Sequence, residues 1–112
     1  MNSVLKIYAS TTDRLGNELL YEHIVHLAKE KRISGVTVYR GVMGFGKSSK
    51  ILASKFWELT EKLPIVVEII DQTEKLEVFF EIIKPELEMM PKGCLVTMEA
   101  ITVKLHKLGK SD

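Results

Sequence analysis

The chain has a single cysteine, Cys94, so no internal disulfide can staple it, and the reading is a protein of a reducing, cytoplasmic compartment. Three prolines and seven glycines in 112 residues are too few for a collagen-like or low-complexity sequence. No apolar run approaches the roughly 18 to 20 residues of a membrane-spanning helix. Met1-Asn2-Ser3-Val4-Leu5-Lys6 lacks a basic segment ahead of a long apolar one and is not read as a secretory leader. The net charge is only +1, without the basic excess of a nucleic-acid-binding domain. One further absence is local. From Lys31 to Trp57 there are six basic residues and no acid, whereas Glu58 to Glu88 holds nine acids against three bases. A carboxylate-free, cationic stretch can attract an anionic ligand, although solvated lysines on a surface loop satisfy the same pattern.

What is present is 46% hydrophobic and 28% charged, the balance of a single globular domain over residues 1–112 with a core of its own. Leu5, Ile7 and Ala9 alternate with Lys6, Tyr8 and Ser10, which predicts a strand over Val4–Ser10. After a turn at Thr11–Gly16, Leu20, Ile24, Leu27 and Ala28 form one apolar stripe of a helix over Asn17–Arg32. Asn17 is its expected N-cap, and Ser34-Gly35 its stop. Val36–Val42 reads as a second strand. Met43–Ser54 is a long, mobile loop, and Phe56–Leu63 has room for a helical turn. Ile65–Ile70, nearly all apolar, reads as a central strand buried on both faces. Asp71 and Glu74 stand at capping-box spacing before a second helix carrying Leu76, Phe79, Phe80 and Ile83, which Pro85 ends or kinks. Pro91-Lys92-Gly93 turns into a last strand over Cys94–Leu105, and residues 106–112 form a frayed tail.

Strand, helix, strand, strand, helix, strand is the split βαβ order of a ferredoxin-like α+β fold: a four-stranded antiparallel sheet with two helices on one face. Val66 and Ile70 point opposite to Ile65, Val67 and Ile69, and Val96, Met98 and Ala100 oppose Leu95, Ile101 and Val103. Apolar residues on both sides of the sheet predict that other subunits cover the helix-free face.

Gly41-Val42-Met43-Gly44-Phe45-Gly46-Lys47-Ser48 matches the G-x-x-x-x-G-K-[ST] pattern of a phosphate-binding P-loop, and Ile65–Asp71 has the look of the acid-terminated strand that accompanies it. That motif needs a buried parallel strand leading into a helix, within a sheet covered by helices on both faces. Such a fold is hard to build in a chain of this length with two clear helices and four strands. The local chemistry survives without the motif: glycines allow backbone amides to approach an anion, and Lys47 and Ser48 add donors.

Tyr39-Arg40-Gly41-Val42-Met43-Gly44-Phe45-Gly46, Leu63-Pro64-Ile65-Val66-Val67-Glu68-Ile69-Ile70-Asp71 and Gly93-Cys94-Leu95-Val96-Thr97-Met98-Glu99 closely resemble an uncharacterised branch of the PII-like signalling proteins. The resemblance runs from the Asp13-Arg14 turn to about Val103. It implies a homo-trimer of ferredoxin-like subunits whose inter-subunit clefts bind an adenine nucleotide, ADP, ATP or AMP, with no obligatory cofactor. It implies a ligand-responsive loop, and a target protein such as a membrane transporter or channel. Carried over residue by residue, Gly44, Phe45, Gly46, Lys47 and Ser48 match the loop base. Lys92 and Gly93 stand in place of a second loop, shorter here than in PII proteins. Arg40, Lys47 and Lys92 would supply charge.

Two other readings remain open, a structural or adaptor trimer without nucleotide and a small NTPase. No catalytic set can be assembled from Asp13, Glu68 and Glu99, so the chain is not read as an enzyme. His23 and His26 share one helix face at i, i+3, but two ligands do not complete a metal site. Cys94 is expected to pack as a small hydrophobe. Base stacking of the kind RNA-recognition domains use needs aromatic residues on the central strands; Ile65–Ile70 has none and Tyr8 stands alone.

Overall fold

A computed structural model describes residues 1–47, 51–53 and 62–110. Its main sheet holds β1 (Asn2–Ser10), β4 (Gly35–Arg40), β7 (Pro64–Gln72) and β8 (Leu95–Ile101) in the order β4-β7-β1-β8, every neighbouring pair antiparallel. Helices α1 (Leu20–Glu30) and α2 (Thr73–Met89) are placed by their buried stripes, Leu20, Ile24 and Ala28 on α1 and Leu76, Phe79, Ile83 and Leu87 on α2. These join Leu5, Ile7, Ile65, Val67 and Ile69 of the central strands in one core. The ferredoxin-like architecture follows: four antiparallel strands, two helices, one apolar layer between them.

Element ends depart from the sequence expectations for local reasons. Asn17 does not cap α1. It sits in the turn of a small hairpin, β2 (Arg14–Leu15) against β3 (Glu18–Leu19), where Gly16 takes φ +62°. The N–H of Leu20 is satisfied instead by the Asp13 carbonyl at 2.8 Å. The left-handed residue that follows α1 is Arg32, φ 62°, and not Gly35. Asp71 makes no capping box. Its carboxylate accepts the N–H groups of Ser34 at 2.9 Å and Gln72 at 2.6 Å, and pairs with Lys75 at 3.4 Å, tying the start of β4 to the start of α2. Helix α2 runs through Pro85 to Met89, so the proline does not end it. β8 stops at Ile101, opposite Asn2, because β1 supplies no partner beyond that point.

The Met43–Ser54 stretch is ordered at its described base. β5 (Met43–Gly44) pairs with β6 (Leu52–Ala53), Met43 opposite Ala53 and Gly44 opposite Leu52. Residues 48–50 and 54 of that loop, and most of the turn expected at 56–63, lie outside the described residues.

Strand parity assigns the two faces. Ile65, Val67 and Ile69 are buried against the helices, and Val96 and Met98 pack on the same core. β7 is therefore covered on one face only within a single chain, its other-face residues Val66, Glu68 and Ile70 being half-buried. On the helix-free face the register aligns Tyr39, Val66, Tyr8 and Leu95 in one row across all four strands. Tyr39, Tyr8 and Leu95 are 51%, 38% and 58% exposed, an apolar band along one end of the sheet. Tyr8 is thus not the lone aromatic on this face. The next row is polar, with Lys6 between Glu68 and Thr97, and Tyr39 donates its hydroxyl to Glu68 at 3.3 Å.

Candidate functional site

One end of the sheet collects most of the residues that sequence reasoning singled out. β4 ends at Arg40, opposite Ile65. The chain then turns across the first residue of β7, because Gly41 donates its N–H to the Pro64 carbonyl at 2.7 Å. The same proline explains two glycines. A Cβ on Gly41 would meet Pro64 Cγ at 2.9 Å, closer than real contacts allow, and one on Gly44 would lie 3.4 Å from that atom. Gly41 and Gly44 let the chain lie flat on the proline ring, which fixes where the Gly44–Lys47 segment leaves the fold. Beyond this base Phe45, Gly46 and Lys47 are exposed, and Ser48 lies outside the described residues.

Lys92 and Gly93 stand at the same end of the sheet, just before β8. They are not beside Arg40 and Lys47. β4 and β8 are opposite edges of the sheet, three strand spacings or about 14 Å apart. A single chain therefore presents a glycine-rich cationic loop at one edge and a short lysine-glycine turn at the other.

The P-loop reading fails on the same topology. Its lysine would be Lys47, which follows the end of β4, the end that pairs with the start of β7, whereas Asp71 is the next-to-last residue of β7. Six residues of extended strand, about 20 Å, separate Ile65 from that carboxylate. Gly44 lies within the β5–β6 ladder, and among the described residues that follow the motif Leu52 and Ala53 are strand and not helix.

Between these edges, at the end of β1, is a cleft of about 350 Å³ lined by Thr12, Asp13, Arg14, Lys62, Met90, Pro91 and Lys92. The ladder from Ser10–Pro64 is continued by Thr11 N–H on the Leu63 carbonyl at 2.9 Å and by Leu63 N–H on Thr11 Oγ1 at 3.1 Å, which brings Thr12 alongside Lys62. Asp13, a sequence candidate for acid–base work, is buried, with its two oxygens accepting the N–H and hydroxyl of Ser10 at 3.0 and 3.1 Å. That carboxylate shapes the turn. Arg14 and Lys62 went unnoticed in the sequence because they lie 48 positions apart; only the antiparallel return of β1 and β7 makes them neighbours.

The remaining candidates have structural roles. His23 lies between Glu18 at 3.2 Å and Glu86 at 3.1 Å, and His26 reaches Glu18 at 3.3 Å. Burial pushes the His23 imidazolium toward deprotonation, but hydrogen bonds and charge from Glu86 and Glu18 outweigh it, and the pKa is raised. Among the described residues no group of three or more histidine, cysteine or carboxylate side chains is arranged to hold a metal. Cys94 is exposed, on the rim of a second cleft with Phe80, Leu87 and Val96, rather than packed as a core residue. No described helix is long and apolar enough to cross a membrane.

Comparison with known proteins agrees with this architecture. The model of the family DUF190, described as an uncharacterised conserved group, matches residues 2–103. A UPF0166 protein of Aquifex aeolicus is 35% identical over 100 residues, covering 89% of this chain and 90% of its own. Among solved structures, a PII-like signalling protein of Thermus thermophilus superposes with a TM-score of 0.60 at 15% identity, over 88% of this chain and 84% of that one. CPII, a nitrogen regulatory PII-like protein of Thiomonas intermedia solved with ADP, AMP and bicarbonate, gives 0.58 at 15% identity, over 88% and 85%. At that identity the likeness is one of fold.

Proposed function

The chain belongs to the DUF190 family, and on the PII-like fold it carries we propose a regulatory protein that binds an adenine nucleotide between subunits of a homo-trimer. The observation behind this reading is the split site. The Gly44–Lys47 loop and the Lys92–Gly93 turn occupy opposite edges of one end of the sheet, so a copy set against its neighbour could bring the loop of one to the turn of the other. The exposed band of Tyr39, Val66, Tyr8 and Leu95 along that same end is the surface such packing would bury. Nucleotide phosphates would take the amides of Gly44, Phe45 and Gly46 and the charges of Arg40, Lys47 and Lys92, with Ser48 and Gly93 completing the contacts. Adenine nucleotides are the class of choice because CPII, of the same fold, was solved with ADP and AMP.

No catalytic step is part of this reading. Ligand would change which surface the 43–54 loop presents to a target protein, with a membrane transporter or channel as the candidate, in the cytoplasm. A structural or adaptor trimer with an empty cleft is the second reading. Isothermal titration of the full chain with ADP, ATP and AMP separates the two. Saturable binding of at least one nucleotide supports the regulator, and heat of dilution alone for all three supports the adaptor.

A further inference from the structure

We propose that the outer face of α2 docks the 102–110 segment of a second copy of this chain. Helix α2 carries two apolar stripes. Leu76, Phe79, Ile83 and Leu87 are buried in the core, whereas Val78, Ile82, Pro85 and Met89 are exposed at i, i+4, i+7 and i+11. Val78, Ile82 and Met89 are 63%, 39% and 84% exposed, and their spacing makes them one stripe instead of scattered surface residues. The other exposed residues of α2 are four glutamates and one lysine, so this face carries −3, four acids less one cation. Glu77, Glu81 and Glu88 each precede a stripe residue by one position and form an acidic row along one flank. None of these three takes part in an ion pair among the described residues. An apolar stripe beside an unpaired acidic row fits a partner that is both apolar and basic.

The chain itself carries such a segment. β8 ends at Ile101, and residues 102–110 continue as neither helix nor strand, all of them exposed and with no backbone hydrogen bond among the described residues. Lys104, Lys107 and Lys110 give the segment +3, and it holds no acid. Its apolar residues are Val103, Leu105 and Leu108. Leu105 and Leu108 are 81% and 77% exposed, so the segment is not seated on its own chain. In an extended segment Val103 and Leu105 share one side, about 7 Å apart, close to the separation of about 6 Å between Val78 and Ile82 along the helix. The long lysine stems reach from there to the acidic flank. The two charges are equal and opposite, and every copy brings both halves. α2 packs on the other face of the sheet from the Tyr39–Val66–Tyr8–Leu95 row, so the inference does not depend on the trimer or on the nucleotide reading.

Fluorescence anisotropy of a labelled synthetic peptide spanning Ile101–Lys110, titrated with the full chain, tests this. The chains are the wild type, Val78→Ser, Glu81→Lys, Leu105→Ser and the control Glu30→Lys, which reverses an exposed acid on α1. All four substitutions are at exposed positions, and circular dichroism checks that each variant is folded. The expected result is saturable binding, weakened at least about threefold by Val78→Ser and by Glu81→Lys and unchanged by Glu30→Lys. Leu105→Ser should bind the peptide more tightly than the wild type, because its own segment competes less well for the same face. No saturable binding overturns the proposal, and an equal loss with Glu30→Lys overturns it as non-specific charge attraction. Binding that ignores both α2 variants overturns it by seating the segment elsewhere, for example along a sheet edge. A second probe, a helical peptide of leucine and lysine with one apolar face, tests the other occupant. If that probe binds with sensitivity to Val78→Ser and Glu81→Lys while the Ile101–Lys110 peptide does not bind, the face belongs to the basic helix of another protein and the second-copy proposal falls.

Discussion

Gly41 and Pro64 are in direct contact, backbone N–H to carbonyl at 2.7 Å, with no room between the glycine and the proline ring for a β-carbon. This contact anchors the loop base to the first residue of β7, and it makes Gly41 a steric requirement as well as a flexible point. Gly41→Val should lower stability by about 1 to 3 kcal/mol, the usual cost of forcing bulk into a packed contact, and free Gly44 from its pairing with Leu52. Chemical denaturation and amide exchange across residues 41–53 would measure this. Gly35→Ala has nothing within 4 Å of the new methyl group and is the control.

Asp71 holds three groups at once, and its pKa responds to all of them. Burial pushes that pKa up, but the N–H groups of Gln72 and Ser34 and the charge of Lys75 outweigh burial and lower it. A depressed carboxylate pKa contributes stability that is present above the unfolded value of about 3.9 and is lost as pH falls through the folded value. Asp71→Asn should therefore destabilise the protein by about 1 to 3 kcal/mol at pH 7, with the difference from wild type shrinking in acid. Urea midpoints measured from pH 7 down to pH 3 give the curve. A constant difference across that range would contradict the assignment.

The sign is opposite at His23. Its raised pKa contributes stability that is complete below the unfolded value of about 6.5 and is lost as pH rises through the folded value. The group is partly exposed and screened, so the contribution is below about 1 kcal/mol. In an NMR titration the His23 ring should change protonation above pH 6.5, and Glu86→Gln should shift that midpoint downward. A midpoint unmoved by Glu86→Gln would show that the contact between α1 and α2 carries no charge interaction.

Assembly can be tested on the helix-free face without disturbing the core. Val66→Asp places a charge in the Tyr39–Val66–Tyr8–Leu95 row, and light scattering should show the trimer replaced by folded monomer. Met98 is no substitute, since it packs against the buried core and an Asp there would unfold the chain itself. A wild-type chain that scatters as a monomer at micromolar concentration would refute the trimer before any variant is made.

The fold was legible because its signals are periodic. The 3.6-residue stripe of Leu76, Phe79 and Ile83 and the alternation of Leu5 and Ile7 each report a buried face within one element. The termini were harder to read, because their hydrogen bonds come from elsewhere in the chain. Asp71 looked like a cap from its neighbours in sequence, but its carboxylate is also held by Ser34, 37 residues away. The candidate site was legible at Gly44 and Lys92 through resemblance, while Arg14 beside Lys62 was invisible until the strand register was known. The Tyr39–Tyr8 row was hidden for the same reason: strand parity gives each tyrosine a face, and only the order β4-β7-β1 puts the two in line.

Native mass spectrometry of the purified chain titrated with ADP examines assembly and ligand together. A trimer that takes up to three ADP molecules, and loses them in Gly46→Val while remaining a trimer, is the expected spectrum. Amide exchange over residues 43–47 should slow on binding, and at a hundredfold excess over Kd the ligand should add about 2.7 kcal/mol of stability. A trimer that takes up no nucleotide at any concentration would contradict the regulatory reading and leave the adaptor in its place.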